Sequence, residues 1–300
     1  MSSVDSIAAA SRASISAWVA AARPRTLTAA VLPVIVGIAL AHRTGPVNEP
    51  LALVTLAAAA LIQIGTNLAN DYYDFVAGAD TEARLGPIRV TQAKLIEPTT
   101  VRNAAFAMLG LAVAAGCYLV RAGGWPILII GVLSVVSAIG YTAGPYPLAY
   151  NGLGDLFVFI FFGLAAVNGT AFLQTGTVTL LSLAASAPIA CLATAILVVN
   201  NLRDIETDRS AGKRTLAVRF GSAFARTEYT ALVITALLAA PVLALIGGPM
   251  FLLPLASILI ALRAIRGVQH GTGAVLNREL ARTAALHSIF GALLAVAIVL

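Results

Sequence analysis

Apolar runs long enough to cross a bilayer recur along nearly the whole 300-residue chain, and this recurrence limits the possible folds more than any other feature. Crossing a hydrocarbon core roughly 30 Å thick takes about 20 helical residues. About nine such runs are predicted, over 26–42, 51–70, 103–120, 125–142, 154–171, 178–199, 228–246, 249–265 and 283–300. Lipid offers backbone N–H and C=O groups no partners, so only helices and closed barrels cross it, and these runs lack the alternation of barrel strands. The expected fold class is therefore all-α, a polytopic membrane protein. Composition agrees, because the chain is 11% charged where soluble domains average about a quarter, and its mean hydropathy is +0.92.

Residues 1–25 have no continuous apolar core before Arg23, so they are expected to be an N-terminal interfacial segment and not a signal peptide. Ile15, Trp18 and Val19 suit a short amphipathic helix on the membrane surface, with Trp18 at headgroup level. Residues 26–300 are expected to form a single transmembrane domain. Cys117 and Cys191 both fall within predicted spans, where a thiol behaves as a small apolar side chain. His42, His270 and His287 are scattered, with no metal-ligand spacing among them.

Basic residues separate by side. Arg43 and Arg121 fall in one set of loops, and all the others of the 19 Lys and Arg fall in the alternate set or the N-terminal extension. Short loops rich in Lys and Arg stay cytoplasmic, so the N-terminus and the 71–102, 200–227 and 264–282 loops are expected inside a bacterial inner membrane. The formal charge of +6 follows from this topology and from contact with anionic membrane lipid, not from nucleic-acid binding.

Seven of the 13 acidic residues gather in two short segments, each at the cytoplasmic end of a predicted span. One reads Asn67-Leu-Ala-Asn70-Asp71-Tyr-Tyr-Asp74 and runs on to Asp80 and Glu82. The other reads Asn200-Asn201-Leu-Arg203-Asp204-Ile-Glu206-Thr-Asp208. In each, an Asn precedes an Asp by four residues, which on a helix places both on one face, and another Asp follows three or four later. Stacked carboxylates repel, so two matched sets imply a counter-charge. Mg²⁺ suits them, being typically held by one or two carboxylates while substrate phosphates complete its octahedron. Solvated loop charge is the simpler explanation for either cluster alone. The pairing is harder to explain that way.

Cations crowd the same loops: Arg84, Arg89 and Lys94 after the first motif, and Lys213, Arg214 and Arg219 after the second. Topology alone requires basic residues there. Arg203 has acidic neighbours to pair with, whereas Lys213 and Arg214 have none close in sequence and are the better phosphate candidates.

Residues 70–87 (NDYYDFVAGADTEARLGP), 141–155 (YTAGPYPLAYNGLGD) and 200–221 (NNLRDIETDRSAGKRTLAVRFG), with 18–27 (WVAAARPRTL), resemble the UbiA superfamily of intramembrane prenyltransferases. Within it they are most similar to the 1,4-dihydroxy-2-naphthoate polyprenyltransferase branch of menaquinone synthesis. The resemblance covers nearly the whole chain. It implies a bundle of nine helices around a central cavity open to lipid, capped on the cytoplasmic side by the loops after spans two and six. Matched by position, Asn67, Asn70, Asp71 and Asp74, with Asp204 and Asp208, would hold two Mg²⁺ ions. Asp71, Asp74, Asp204 and Asp208 would be catalytic, and Arg84, Lys213 and Arg214 would sit near the diphosphate. Many members carry a basic residue shortly after the Tyr that ends span four. Here no Lys or Arg lies between Tyr141 and Asn151, which resembles the naphthoate branch.

The reaction this implies is transfer of a polyprenyl group from its diphosphate to 1,4-dihydroxy-2-naphthoate, with loss of CO₂ and diphosphate. Tyr141, Tyr146 and Tyr150 either line the aromatic pocket or form an interfacial belt. Asn200 is a further acceptor-side candidate, and Arg23 or Arg25 would hold the acceptor carboxylate. Rival acceptors are 4-hydroxybenzoate, homogentisate, chlorophyllide or a lipid-phosphate substrate. A rival of another class is an ion transporter, whose acids belong mid-span, and here they lie at span ends.

Overall fold

A computed structural model describes residues 14–79 and 85–300, and every element in it is helical. α1 (Ile15–Ala22) begins at Ser14, whose hydroxyl accepts the Ala17 N–H. Ala17 and Ala21 are buried against Leu68 and Ala69, while Ile15 and Val19 stay exposed, as an amphipathic surface helix requires. Arg23, in the left-handed region (φ 51, ψ 70), then redirects the chain into α2 (Pro24–Thr44), whose first residue needs no N–H partner.

The membrane-spanning elements follow as α3 (Glu49–Val76), α4 (Pro98–Gly140), α5 (Gly154–Thr175) and α6 (Leu180–Arg203). After the short α7 (Ile205–Ser210) come α8 (Leu216–Gly247), α9 (Pro249–His270) and α10 (Leu276–Val299). Among the described residues, eight helices including α2 are long and apolar enough to cross a membrane. One of the eight covers two predicted spans. α4 has 43 residues, about 65 Å of helix and twice the hydrocarbon thickness. It breaks at Gly124 (φ 63, ψ −151), a conformation open only to glycine, just before Pro126. Its two limbs cover the predicted spans 103–120 and 125–142, so among the described residues these eight helices account for the nine predicted spans.

α6 is the central helix, enclosed by α2, α5, α8 and α10, and its Ile189, Leu192, Ala195 and Val199 anchor the largest apolar cluster. Without a hydrophobic force between helices in lipid, close approach depends on small residues. Gly163 lies in a π-helical stretch of α5 (Ile160–Ala165), and a Cβ there would collide with the Cβ and backbone of Ala190 on α6. α4 is peripheral and packs mainly on α3.

Two sets of contacts define the ends of the bundle. At one end Arg43 donates to the carbonyls of Gly247 (2.8 Å) and Ile298 (3.1 Å), joining the ends of α2, α8 and α10. At the other, Asn277 donates to the Leu85 carbonyl (2.7 Å) and Arg226 to the Gly271 carbonyl (2.8 Å). The three Lys/Arg-rich loops thus share one end, opposite Arg43.

Gly163→Val is expected to wedge α5 from α6 and destabilise the protein by about 1–3 kcal/mol. The measurement is thermal unfolding in detergent beside wild type, and an unchanged midpoint would contradict the tight contact.

Candidate active site

α3 continues past the predicted span edge to Val76, so the first motif is helical from Asn67 to Asp74, while Asp80 and Glu82 lie outside the described residues. Gln63, Asn67, Asp71 and Asp74 form a buried polar stripe along it. Each of these side chains has different work. Asn67 donates to the Ala22 carbonyl and Thr26 hydroxyl, both at 2.9 Å, and ties α3 to the α1–α2 junction. Asn70 accepts from the Thr142 hydroxyl at 2.9 Å. Asp71 accepts the backbone N–H groups of Val90 (3.2 Å) and Thr91 (3.0 Å), holding the following loop over the helix end.

Asp74 has three donors. Arg89 Nη2 lies 3.1 Å from one oxygen, and Lys213 Nζ and the Tyr150 hydroxyl each lie 3.0 Å from the other. The same Lys213 Nζ is 3.9 Å from Asp208 Oδ1. One ammonium therefore stands between a carboxylate of each motif. Gly212 (φ 74) turns the chain after α7 so that the Lys213 N–H meets the Asp208 carbonyl at 2.9 Å, which returns the side chain toward α3. The Tyr150 ring lies beneath the ammonium, 5.0 Å from it.

The second motif is interrupted. α6 ends at Arg203, Asp204 is its cap (φ −96, ψ 11), and α7 resumes at once. Arg203, fully buried, grips both oxygens of Asp204 (Nε at 2.8 Å) and also donates to Asn200 and Asn277 at 2.9 Å each. Asn277 holds Leu85 in turn, so this clasp links α6, α10 and the loop after α3.

Beside these polar groups lies a cavity of about 660 Å³ between α2, α3, both limbs of α4 and α5. Its walls are apolar, with Val34, Ile62, Phe157 and Phe161 among them. Gln63, Thr66, Asn67, Asn70 and Tyr141 supply polar atoms.

Of the acceptor-side candidates, Tyr141 alone is sited on the cavity wall with its side chain described there. Tyr146 is exposed, Tyr150 belongs to the carboxylate cluster, and Asn200 belongs to the Arg203 clasp. Arg23 occupies the α1–α2 turn. The Arg25 side chain and all of Arg84 lie outside the described residues. Lys213 joins the motifs, whereas the Arg214 side chain is exposed, its backbone N–H donating to the Tyr150 carbonyl at 3.0 Å.

Sequence reasoning passed over Gln63, Arg89, Asn277 and Asp155 as site residues. Gln63 did carry a signal: it is a polar residue inside an apolar run, four residues before Asn67. Asp155, at the start of α5, is buried with Oδ1 lacking a hydrogen-bond partner. Nothing in the sequence placed Arg89 on Asp74 or Asn277 on Arg203, because those contacts join separate elements.

No group of three or more His, Cys, Asp or Glu side chains converges on one point among the described residues. The donor set nonetheless fits a hard cation. Asp74 and Asp208 offer oxygens to a shared positive charge, now supplied by Lys213, and Mg²⁺ needs only one or two carboxylates when phosphate completes its shell.

Arg203→Met should leave Asp204 buried and unpaired, lowering stability by about 3–5 kcal/mol. Thermal or denaturant unfolding in micelles would show it, and a shift near zero would mean that Asp204 finds another cation.

Residues 30–298 match the UbiA prenyltransferase family. The chain is 39% identical over 268 residues to a 1,4-dihydroxy-2-naphthoate octaprenyltransferase of Mycobacterium tuberculosis, covering 89% of this chain and 90% of the relative. With the protein of the same name from Escherichia coli it shares 40% identity over 227 residues, 74% of each chain. Its fold superposes on a UbiA homolog from Archaeoglobus fulgidus bound to DMAPP and Mg²⁺ with a TM-score of 0.67, over 94% of this chain and 98% of that one. At 16% identity the last likeness concerns fold alone. Two carboxylate motifs meeting beside an apolar cavity, on a fold and sequence shared with these proteins, place the chain in the UbiA prenyltransferase family.

Proposed function

We propose that this membrane prenyltransferase transfers a polyprenyl group from polyprenyl diphosphate to 1,4-dihydroxy-2-naphthoate, releasing diphosphate and CO₂. The observation that carries the reading is Lys213 shared between Asp74 and Asp208, with Asp74 one helical turn beyond Asn70 on the wall of an apolar cavity. Identity with naphthoate octaprenyltransferases over most of the chain supports the acceptor.

The reaction breaks the allylic C–O bond, the electron pair leaving with diphosphate, and forms a C–C bond to the electron-rich ring. Loss of the carboxylate as CO₂ returns its bonding pair to the ring. Lys213 and Arg89, held together by Asp74, would meet the negative charge that grows on the leaving group, and preorganised cations stabilise such charge without reorganising. Asp74 and Asp208 would hold Mg²⁺, which when bound would neutralise diphosphate oxygens and favour departure. Asp71 keeps the loop bearing Arg89 in place through Val90 and Thr91. Asp204 keeps its partner Arg203 aligned with Asn277. Apolar walls contributed by Phe157, Phe161 and Val34 keep water from the allylic cation. The distribution of Lys and Arg supports a site that faces the cytoplasm of a bacterial inner membrane, with Arg43 on the opposite side.

Purified protein supplied with radiolabelled polyprenyl diphosphate should prenylate dihydroxynaphthoate and not 4-hydroxybenzoate or homogentisate. Turnover of 4-hydroxybenzoate alone would reverse the acceptor assignment. Asp74→Asn and Asp208→Asn are each expected to lower the rate at least about 100-fold. Chelation should abolish transfer and added Mg²⁺ restore it. Full activity in either variant would remove the shared carboxylate site from the mechanism.

A further inference from the structure

Hydrogen-bond bookkeeping on α3 leaves one buried acceptor without a partner, on a residue that lines the cavity. The Ala22 carbonyl can only accept, so the Asn67 Nδ2 must face it, at 2.9 Å. That orientation leaves Asn67 Oδ1 as an acceptor, and Gln63 Nε2 is its donor at 3.2 Å. The Thr26 hydroxyl gives its proton to the Arg23 carbonyl at 2.9 Å, so its oxygen accepts from Asn67 and from Gln63. Both amides are thereby fixed, without appeal to which end of either was assigned as nitrogen. Gln63 Nε2 makes two bonds within the protein. Its Oε1 is buried with no hydrogen-bond partner, on a residue only 7% exposed that lines the cavity.

A buried carbonyl without a partner is costly, and a ligand carrying an O–H would satisfy it. The neighbouring hydroxyls of Thr55, Thr66 and Thr170 donate back to carbonyls of their own helices, and Asn70 Oδ1 is taken by Thr142. Ionised diphosphate offers acceptors, and a prenyl chain offers no polar hydrogen at all. A dihydroxylated aromatic ring offers two. We infer that Gln63 is a specificity-determining residue that binds the aromatic acceptor, its Oε1 accepting a hydrogen bond from a ring hydroxyl. This inference rests on the proposed prenyl transfer to a hydroxylated arene and assigns the acceptor end of that site. The same bond would orient the ring at the polar end of the cavity, near Asn70 and Tyr141. It would also reject rings lacking that hydroxyl, because Oε1 would remain unpaired.

The test is a coupling cycle between residue and substrate hydroxyl, run on full-length protein in detergent. Wild type, Gln63→Leu and Gln63→Glu are assayed with dihydroxynaphthoate and with each of its two monohydroxy analogues. For wild type, the KM of one analogue should exceed that of dihydroxynaphthoate by about ten- to a hundredfold. Gln63→Leu should raise the dihydroxynaphthoate KM by a similar factor, abolish the discrimination and leave the KM for polyprenyl diphosphate unchanged. Gln63→Glu, which keeps an acceptor oxygen, should retain the discrimination. Equal wild-type KM values for all three rings would overturn the inference even if no variant folds, as would discrimination surviving in Gln63→Leu. Absence of any prenyl transfer to naphthoate by wild type would instead overturn the reading on which it rests.

Discussion

The Lys213 ammonium, shared between Asp74 on α3 and Asp208 on α7, is the contact on which the polar end of this bundle depends. Carboxylates drawn from water at the end of an apolar bundle are tolerated only when paired and hydrogen-bonded. Here Arg89, Arg203 and Lys213 meet that demand, two of them from loops and one from a helix end. Each cation also ties one element to another, so the charge balance and the tertiary arrangement are one structure. In the proposed reaction, substrate phosphate and its metal would replace this balanced arrangement with another.

α3 carries the transition from apolar cavity to charged cap. From Gln63 to Asp74 its polar stripe covers eleven steps, about 16 Å of helix. The amides of Gln63, Asn67 and Asn70 come first, beside the apolar walls, and the carboxylates of Asp71 and Asp74 follow. That order suits the proposed reaction: the aromatic ring and prenyl tail would occupy the cavity, and the diphosphate would sit toward the charged end of the helix. Asn67 secures this helix to α1 and α2 through Ala22 and Thr26, which fixes the register of the stripe against the rest of the bundle.

The legible and illegible parts of the structure divide by range. The spans were readable because each is a local run of apolar residues, and the two predicted spans that fall on α4 are divided at Gly124. Their edges were less readable. α3, α8 and α10 extend several residues beyond the predicted limits at the site end, where buried contacts with the cap replace lipid and the apolar run no longer marks the helix. The equal spacing of Asn67 to Asp71 and Asn200 to Asp204 suggested matched helical faces. Only the first lies on one continuous helix, since the chain breaks at Asp204 where Arg203 closes on it.

From sequence alone came the membrane class, the separation of basic loops to one end and the two carboxylate motifs, because hydropathy, charge distribution and short spacing are properties of neighbouring residues. Tertiary structure alone decided that one lysine serves both motifs, that Arg89 reaches Asp74, and that Tyr141 and not Tyr146 meets the cavity. It alone left the Gln63 oxygen without a partner. Those outcomes depend on which helices stand side by side, and packing of small residues such as Gly163 against Ala190 sets that order without any sign in the local sequence.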